Sequence, residues 1–194
     1  MLKIAIVTGS TRPGRNNKAV SDWVLQAAQA RTDAAFELVD IAEYQLPLLD
    51  EPVPASMGSY KHPHTRRWAA KIATFDAFIF VTPEYNGGPS AALKNAIDYL
   101  YREWNDKAAG LVSYGAGANG SRAVEHLRNV LAAVKVATVR DQVAFSLFTD
   151  FVDFHEFKPG PHHRSTLNTM LDQVTAWGSA LQSVRVPEVQ HAAA

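Results

Sequence analysis

An unbroken apolar run, AFIFVT at residues 77–82, constrains the fold of this chain more than any other feature of its sequence. Without alternating polar positions, such a run is typical of a strand that is covered on both faces. Strands of this kind occur in parallel sheets that carry helices on each side. The run therefore predicts the interior of an α/β fold.

The rest of the chain alternates between candidate strands and candidate helices. Residues 17–30, for example, repeat apolar side chains at helical spacing. In all, we predict strands at 2–8, 36–40, 77–82, 109–114 and 136–139, and helices at 17–30, 65–74, 91–102, 121–133 and 164–184. The proline-rich stretch 42–63 is predicted to be ordered but irregular. This alternation requires right-handed crossovers and a parallel sheet with helices on both faces.

Composition limits both the size and the chemistry of the protein. The 194 residues are 47% hydrophobic and 20% charged, which predicts one domain over residues 1–186 and a flexible tail at 187–194. Basic and acidic residues both number 19, so no net charge draws the protein to nucleic acid or to an anionic membrane. The chain has no cysteine, which excludes disulfides, thiol redox chemistry and cysteine-bound clusters. If the protein moves electrons, a bound organic cofactor must carry them.

The amino-terminal sequence MLKIAIVTGS bears on the location of the protein. A single lysine precedes an apolar run that is much too short for a signal-peptide core or a membrane span. We therefore expect a cytoplasmic protein.

Three glycine-rich turns follow predicted strands. They are TGSTRPGRN after the first strand, TPEYNGGPS after the third and SYGAGANGS after the fourth. In open parallel sheets, ligands bind outside the carboxyl ends of the strands. The three turns are therefore predicted to converge on one binding site.

The first turn does not match the two best-known nucleotide loops. Gly9 and Gly14 have the spacing of a Walker A loop, but Arg15 and Asn16 stand where lysine and a hydroxyl residue are required. The dinucleotide fingerprint G-x-G-x-x-G is absent as well. Asp40 could imitate the ribose-binding acid of that fingerprint, although a turn or helix cap at a strand end also explains an aspartate there. A triphosphate or dinucleotide loop is therefore disfavoured.

The same turn suits a single compact phosphate. Ser10 and Thr11 offer hydroxyl groups, Arg12 and Arg15 offer guanidinium groups, and Asn17 offers an amide at the start of a helix. Backbone amides, a helix amino terminus and forked arginines all favour concentrated negative charge without a metal ion. We therefore expect this loop to hold a phosphate dianion.

Two motifs carry a resemblance to a known family. G-S-x-R-x-x-R-x-N in the first turn, and P-E-Y-N-G followed by L-K-N-A-I-D, resemble the NADPH-dependent FMN reductase family of flavodoxin-like proteins. The segments DIAEYQLPLLDE and SYGAGANGSRAVEHLRNVL extend the similarity over nearly the whole chain. The resemblance implies a flavodoxin-like, doubly wound, five-stranded parallel sheet in the order 2-1-3-4-5 with helices on both faces.

The resemblance also implies FMN as the cofactor, NADPH or NADH as the electron donor, and a set of residues that contact the flavin. The phosphate would be held by Ser10, Arg12, Arg15, Asn16 and Asn17; one border of the isoalloxazine would be formed by Pro83, Glu84, Tyr85, Asn86 and Gly87; its other side would be closed by Ser113, Tyr114 and Gly115. No residue is predicted to be catalytic, because the flavin N5 itself accepts hydride. Many family members continue P-E-Y-N-G with Ser-Ile-Pro-Gly, whereas this chain continues with GPSA.

The function implied is a two-electron reductase that delivers electrons to quinones, flavins, azo compounds or oxidised metal species. A one-electron carrier of flavodoxin type and a non-catalytic flavin-binding regulator remain as alternatives. The balanced charge disfavours the carrier, since such carriers are usually acidic. The expected partners are a nicotinamide nucleotide and a small acceptor, and family resemblance implies a homodimer or homotetramer.

Histidines and aromatic residues outside these turns leave several interpretations open. The pairs His62–His64 and His162–His163 could bind a metal only if the fold brought them together, and we predict no metal site. FVDFHEF at residues 151–157 could cover the flavin, join an oligomer interface or form a local cluster. Three aromatic residues near the third major helix suggest a buried contact surface: Tyr99, Tyr101 and Trp104.

Overall fold

The computed structural model describes residues 1–185 and contains one five-stranded parallel sheet in the order β2-β1-β3-β4-β5. The strands are β1 (Leu2–Thr8), β2 (Ala34–Asp40), β3 (Ala77–Pro83), β4 (Lys107–Gly115) and β5 (Val136–Ser146). The helices are α1 (Asn17–Ala28), α2 (Pro63–Ala73), α3 (Ala91–Asp98), α4 (Ser121–Ala133) and α5 (His162–Leu181). The predicted sheet and its strand order are confirmed.

Each face of the sheet has its own hydrophobic core. On one face, Val24 of α1 and Leu171 of α5 belong to a cluster with Ile79 of the central strand. On the other face, helices α2, α3 and α4 pack against the alternate residues of the same strands, among them Phe78 and Phe80. Every residue of β3 and β4 is buried, as expected of strands covered on both sides. Helices on both faces are therefore confirmed.

Strand β5 is longer than the sequence predicted. The prediction ended at residue 139 because a polar stretch, RDQ, follows, but the strand continues to Ser146. Its polar groups find partners on the flanking helices: the Arg128 guanidinium donates to the Val139 carbonyl at 2.8 Å, and Gln173 hydrogen-bonds Asp141. Edge-strand residues of this kind are satisfied by tertiary contacts that a local pattern does not reveal.

The stretch 42–63 is irregular, as predicted, and includes two short 3₁₀ turns at Ile41–Tyr44 and Ala55–Met57. The Tyr99 hydroxyl, just after α3, connects this stretch to the rest of the domain by donating a hydrogen bond to the Asp50 carboxylate at 2.9 Å. Tyr99 and Trp104 are fully buried within the chain itself, where they fill the core on the α2–α4 face. Two of the three aromatic residues that suggested a buried contact surface therefore belong to the core of the chain itself.

A short antiparallel hairpin, β6 (Phe151–Val152) and β7 (Glu156–Phe157), connects β5 to α5 and was not predicted. The predicted tail at 187–194 and the last residue of the predicted domain lie outside the described residues. Within residues 1–185, no helix has both the length and the apolar composition needed to cross a membrane.

Candidate functional site

The three glycine-rich turns meet at the carboxyl edge of β1, β3 and β4. They are named here the first loop (residues 9–16), the second loop (84–90) and the third loop (116–120). The Gly9 amide donates to the Val81 carbonyl at 2.9 Å, and the Ser90 hydroxyl donates to the Gly9 carbonyl. The Glu84 amide donates to the Tyr114 carbonyl at 2.9 Å, which joins the second loop to the end of β4. These contacts bring the first loop, the second loop and the end of β4 together at one edge of the sheet.

Gly9 shows how closely the first loop lies on its neighbours. A Cβ atom at this position would lie 2.6 Å from the Val81 carbonyl oxygen and 2.9 Å from Leu93 Cδ2. The residue must therefore be glycine for the loop to leave β1 along this path. Ser90 in turn caps α3, because its hydroxyl accepts a hydrogen bond from the Leu93 amide at 3.1 Å.

A tight turn gives the first loop its shape. The Arg15 amide donates to the Arg12 carbonyl at 3.1 Å across Pro13 and Gly14, and Gly14 has a φ of 67°. Proline followed by a glycine with positive φ is the pattern of a type II turn. Helix α1 begins two residues later, so its free first-turn amides lie directly beside the turn. The arrangement has the chemistry of an anion site.

Ser10 and Arg12 carry the polar groups on one side of this loop. Ser10 is buried, and its hydroxyl lies 3.4 Å from the hydroxyl of Tyr85 in the second loop. Arg12 is exposed, and the centre of its guanidinium lies 6.0 Å from the Tyr85 ring centroid. Among residues 1–185 no carboxylate lies within 4.0 Å of the Arg12 guanidinium. Its charge is therefore available to a ligand.

Arg15 has a different environment. Its guanidinium pairs with the Asp40 carboxylate and also donates to the Ser10 carbonyl. Asp40, at the end of β2, caps the following 3₁₀ turn by accepting from the Ala42 amide at 3.0 Å. The capping interpretation of Asp40 is thus the one that the geometry supports.

Asn16 and Asn17 point to different neighbours. The Asn17 amide group is buried and donates to the Val81 carbonyl at 3.1 Å, so it ties the start of α1 to β3. Asn16 lies nearer the surface and donates to the Phe154 carbonyl of the hairpin at 2.6 Å. Both side chains lie at the amino terminus of α1, where the sequence placed them.

The second loop contains a two-residue reversal at Asn86 and Gly87. Tyr85 and Gly88 exchange both backbone hydrogen bonds, at 2.9 and 3.0 Å, and the φ angles of Asn86 and Gly87 are 51° and 83°. Positive φ at both central positions is the requirement of a type I′ turn, which Asn-Gly favours. The reversal leaves Tyr85 partly exposed beside the first loop. Pro83, just before the loop, is buried and pairs with Tyr114 in the sheet.

Glu84 forms an ion pair within the chain. Its side chain is 5% exposed, and a carboxylate oxygen lies 2.5 Å from the guanidinium of Arg122 at the start of α4. Arg122 itself is 62% exposed at the side chain. The pair links the second loop to the start of α4, directly after the third loop, so it closes one border of the site.

The end of β4 and the third loop form the remaining border. Ser113 donates to the Asn119 carbonyl at 3.0 Å, and Gly120 has a φ of 86°. A Cβ on Gly120 would lie 2.5 Å from the Ser113 Cβ, so the third loop folds tightly over the strand end. Burial raises the pKa of the Tyr114 hydroxyl far above its ordinary value, and Tyr85 adds to the effect. Tyr114 is therefore neutral at any physiological pH.

The hairpin lies beside the first loop, and the segment that leads into it from β5 lies beside the end of β4. The Leu147 amide donates to the Gly115 carbonyl at 3.0 Å, and the Phe154 carbonyl accepts from Asn16. The base of the hairpin packs inside the core, whereas its tip exposes Phe154, whose ring lies 5.7 Å from that of Phe148. Sequence reasoning flagged this stretch as aromatic but missed the hairpin, because its turn at residues 152–155 contains no glycine.

A different aspartate contacts each histidine pair. His64 Nε2 lies 3.0 Å from Asp50, and the buried His163 Nε2 lies 2.9 Å from Asp150. Within the part of the chain that the structure describes, no group of three or more His, Asp or Glu side chains has a geometry suited to a metal ion.

The fold and the three convergent loops define a flavodoxin-like α/β protein. A solved structure of FerB, a flavoenzyme NAD(P)H:(acceptor) oxidoreductase from Paracoccus denitrificans, superposes with a TM-score of 0.72 at 19% identity, covering 93% of this chain and 98% of that one. The sequence profile of the NADPH-dependent FMN reductase family matches residues 2–150. The chain belongs to that family.

Two characterised relatives illustrate its members. An NAD(P)H-dependent FMN reductase of Schizosaccharomyces pombe is 39% identical over 150 residues, which span 76% of this chain and 74% of the relative. A 2-hydroxy-1,4-benzoquinone reductase of a Burkholderia species is 30% identical over 183 residues, which span 91% of this chain and 96% of the relative.

Proposed function

We propose that this protein is an NAD(P)H-dependent FMN reductase that passes two electrons from a nicotinamide nucleotide to quinones, flavins, azo compounds or oxidised metal species. The observation that carries the proposal is the hydrogen-bonded junction of the phosphate-type first loop with the second loop at one sheet edge. Family membership and the names of both relatives support it. When bound, FMN supplies the redox chemistry, since its ring accepts hydride from a nicotinamide and releases it to an acceptor.

The first loop has the donors that the FMN phosphate requires. Arg12 offers a guanidinium that has no carboxylate partner among residues 1–185, Ser10 a buried hydroxyl, and the start of α1 its first-turn amides. These groups are concentrated around one turn, which matches a single dianion better than an extended pyrophosphate. The residues that we propose around the phosphate are Ser10, Arg12, Arg15, Asn16 and Asn17, with the Arg15 guanidinium resting on Asp40.

The second and third loops have the form expected around a flat ring. The backbone reversal at Asn86 and Gly87 lies just outside β3, and nothing lies within 4 Å of a Cβ built on Gly87. Backbone amides of this kind can stabilise negative charge on a flavin pyrimidine edge. We propose that Pro83, Glu84, Tyr85, Asn86 and Gly87 border the ring on one side and Ser113, Tyr114 and Gly115 on the other.

The protein contributes to the reaction by binding and orienting the reactants. Tyr114 stays protonated at working pH and so brings no charge into the site. The Glu84–Arg122 pair holds the second and third loops together, which fixes the width of the ring site. A hydride transfer needs the two rings held face to face, so rigid walls contribute through positioning.

Steady-state kinetics test this proposal. Initial rates with NADPH and a benzoquinone, each varied at several fixed concentrations of the other, should give parallel double-reciprocal lines, because donor and acceptor use one site in turn. A protein that binds FMN stoichiometrically but reduces none of the acceptors tested would instead be a flavin-binding regulator. Intersecting lines would contradict the alternating cycle.

The proposal includes a single FMN-binding domain over residues 1–186, a cytoplasmic location and a homodimer or homotetramer. Two exposed apolar side chains in the irregular stretch, Leu48 (83% exposed) and Met57 (66% exposed), are suited to a subunit contact. Light scattering should give a multiple of the 21.2 kDa chain mass. A mass of one chain would contradict the oligomer.

A further inference from the structure

We infer that Arg15 is a positioning residue, which shapes the phosphate site through the Ser10 carbonyl and Asp40 instead of contacting the phosphate. This inference rests on the proposed FMN function. Its basis is the two contacts of the guanidinium, one to the Asp40 carboxylate and one to the Ser10 carbonyl.

Arg15 and Asp40 are both held in place by their surroundings. Their side chains are 16% and 10% exposed, and Asp40 is fixed further by its hydrogen bond from the Ala42 amide. Because Asp40 neutralises the guanidinium at contact distance, little of the Arg15 charge is left for a second anion. Arg12, in contrast, is exposed and has no such carboxylate among residues 1–185. The two arginines of the loop therefore have different tasks.

The contact to the Ser10 carbonyl gives Arg15 control of the backbone. In a trans peptide the C=O and the following N–H point in opposite directions, and the described residues contain no cis peptide. A Ser10 carbonyl held toward Arg15 therefore turns the Thr11 amide to the opposite side of the loop. Among residues 1–185 the Thr11 amide has no acceptor, so it can donate to an anion lying in the loop, and its direction is set before the ligand arrives.

Ser10 is held from its other side as well. Its hydroxyl lies 3.4 Å from the Tyr85 hydroxyl and 3.4 Å from the Arg12 amide. Backbone and side chain of this residue are thus fixed independently, the first by Arg15 and the second by the neighbouring loop. Preorganised donors of this kind bind an anion without the cost of ordering the loop.

The two possible roles of Arg15 make opposite predictions for Asp40→Asn. If Arg15 contacted the phosphate, removal of the Asp40 charge would release the guanidinium and remove a nearby negative charge, so FMN would bind as tightly as before or more tightly. If Arg15 is a positioning residue, Asp40→Asn loosens the Ser10 carbonyl and weakens FMN binding by about tenfold, the loss of one well-directed donor.

The experiment measures FMN and riboflavin dissociation constants by quenching of flavin fluorescence on the apo full-length protein. Arg15→Gln and Asp40→Asn should each weaken FMN by about tenfold and leave riboflavin, which has no phosphate, nearly unchanged. The double variant should be no weaker than Arg15→Gln, because the two residues act through one contact. A general loss of structure would lower both affinities together.

Two further variants keep the test decisive. Arg31→Gln is the matched control. Arg31 is 19% exposed at the side chain and pairs with Asp33 just before the start of β2, at the opposite end of that strand from Asp40, so FMN affinity should not change. Should Asp40→Asn fail to fold, Arg15→Lys retains the charge but not the fork that reaches two acceptors, and it should weaken FMN like Arg15→Gln.

The outcomes separate this inference from the proposed function. Wild-type protein that binds no FMN overturns both. The positioning role alone is overturned if the wild-type protein binds FMN and Asp40→Asn binds it equally well or more tightly. The same holds if Arg15→Lys binds FMN as tightly as wild type.

Discussion

Lys107 is a buried charge whose replacement should stabilise the protein. It begins β4 at the end of the sheet opposite the three glycine-rich loops and is 6% exposed. Its ammonium donates to the Ile72 carbonyl at 3.2 Å and lies 5.4 Å from the centroid of the Phe78 ring. A buried ammonium with so few partners is costly to keep charged.

The cost can be worked from the titration of the group. Burial, with a smaller contribution from Arg185, lowers the pKa of Lys107 from 10.5 to about 8, while Asp76 and Glu103 oppose this shift. Because a tenfold change in proton affinity corresponds to about 1.4 kcal/mol, the folded state loses on the order of 3 kcal/mol wherever the lysine is charged in both states. The unfolded chain holds its proton up to a higher pH, so this cost is complete below pH 8 and is relieved as the pH rises toward 10.5.

Lys107→Met keeps the length of the side chain and removes the charge. The Ile72 carbonyl retains a hydrogen bond from the Phe75 amide at 3.3 Å, so little is left unsatisfied. After subtracting about 1 kcal/mol for the lost hydrogen bond, we expect Lys107→Met to raise the free energy of unfolding by about 1–2 kcal/mol at pH 7, and to raise Tm by roughly 4 °C. The gain should vanish near pH 10.5, where the lysine is neutral in the folded state.

Urea unfolding at pH 7 and at pH 10 measures both effects. Lys158→Met is the control, since Lys158 is 60% exposed at the side chain and should change stability little at either pH. A Lys107→Met protein that is less stable than wild type at pH 7, or equally stabilised at both pH values, would refute the reasoning.

Substitutions at two loop glycines and at Asp150 test local packing and hydrogen bonding. Gly120→Ala should lower the free energy of unfolding by at least about 2 kcal/mol and weaken FMN binding, because the new Cβ would lie 2.5 Å from Ser113 at a residue with positive φ. Gly14→Ala also places a side chain at positive φ, but in open space, so it should cost only about 1 kcal/mol. Equal melting temperatures for the two variants would contradict this. Asp150→Asn should lower the free energy of unfolding by about 1–3 kcal/mol. The Asp150 carboxylate accepts hydrogen bonds from the Ser146 backbone amide and from His163, and the asparagine side chain cannot accept from all of these partners. Coincident urea unfolding curves would disprove this.

The sheet could be predicted from the sequence because its strands are apolar on both faces. AFIFVT admitted one interpretation, and the same is true of most of β4. The predicted strand began at residue 109, whereas β4 begins at Lys107, a buried lysine whose ammonium lies 5.4 Å from the centroid of the Phe78 ring. Helix α3 ends at Asp98 instead of residue 102 because Tyr99 turns into the core, a tertiary contact with no local signal.

The site could be predicted as a set of loops but not as a set of contacts. Spacing placed Ser10, Arg12 and Arg15 in one turn, and the Asn86–Gly87 pair indicated a reversal of the chain. Spacing could not assign Arg15 to Asp40, because the two residues are brought together only by the pairing of β1 with β2. Whether each predicted residue touches FMN stays a prediction.

The anaerobic absorbance spectrum of the FMN-loaded protein, recorded while NADPH and then NADH are added, tests the central claim most directly. The account predicts that the flavin band near 450 nm, roughly where oxidised flavins absorb, bleaches with at least one nicotinamide at a rate compatible with turnover. A protein that binds FMN and keeps that band with both nicotinamides would contradict it.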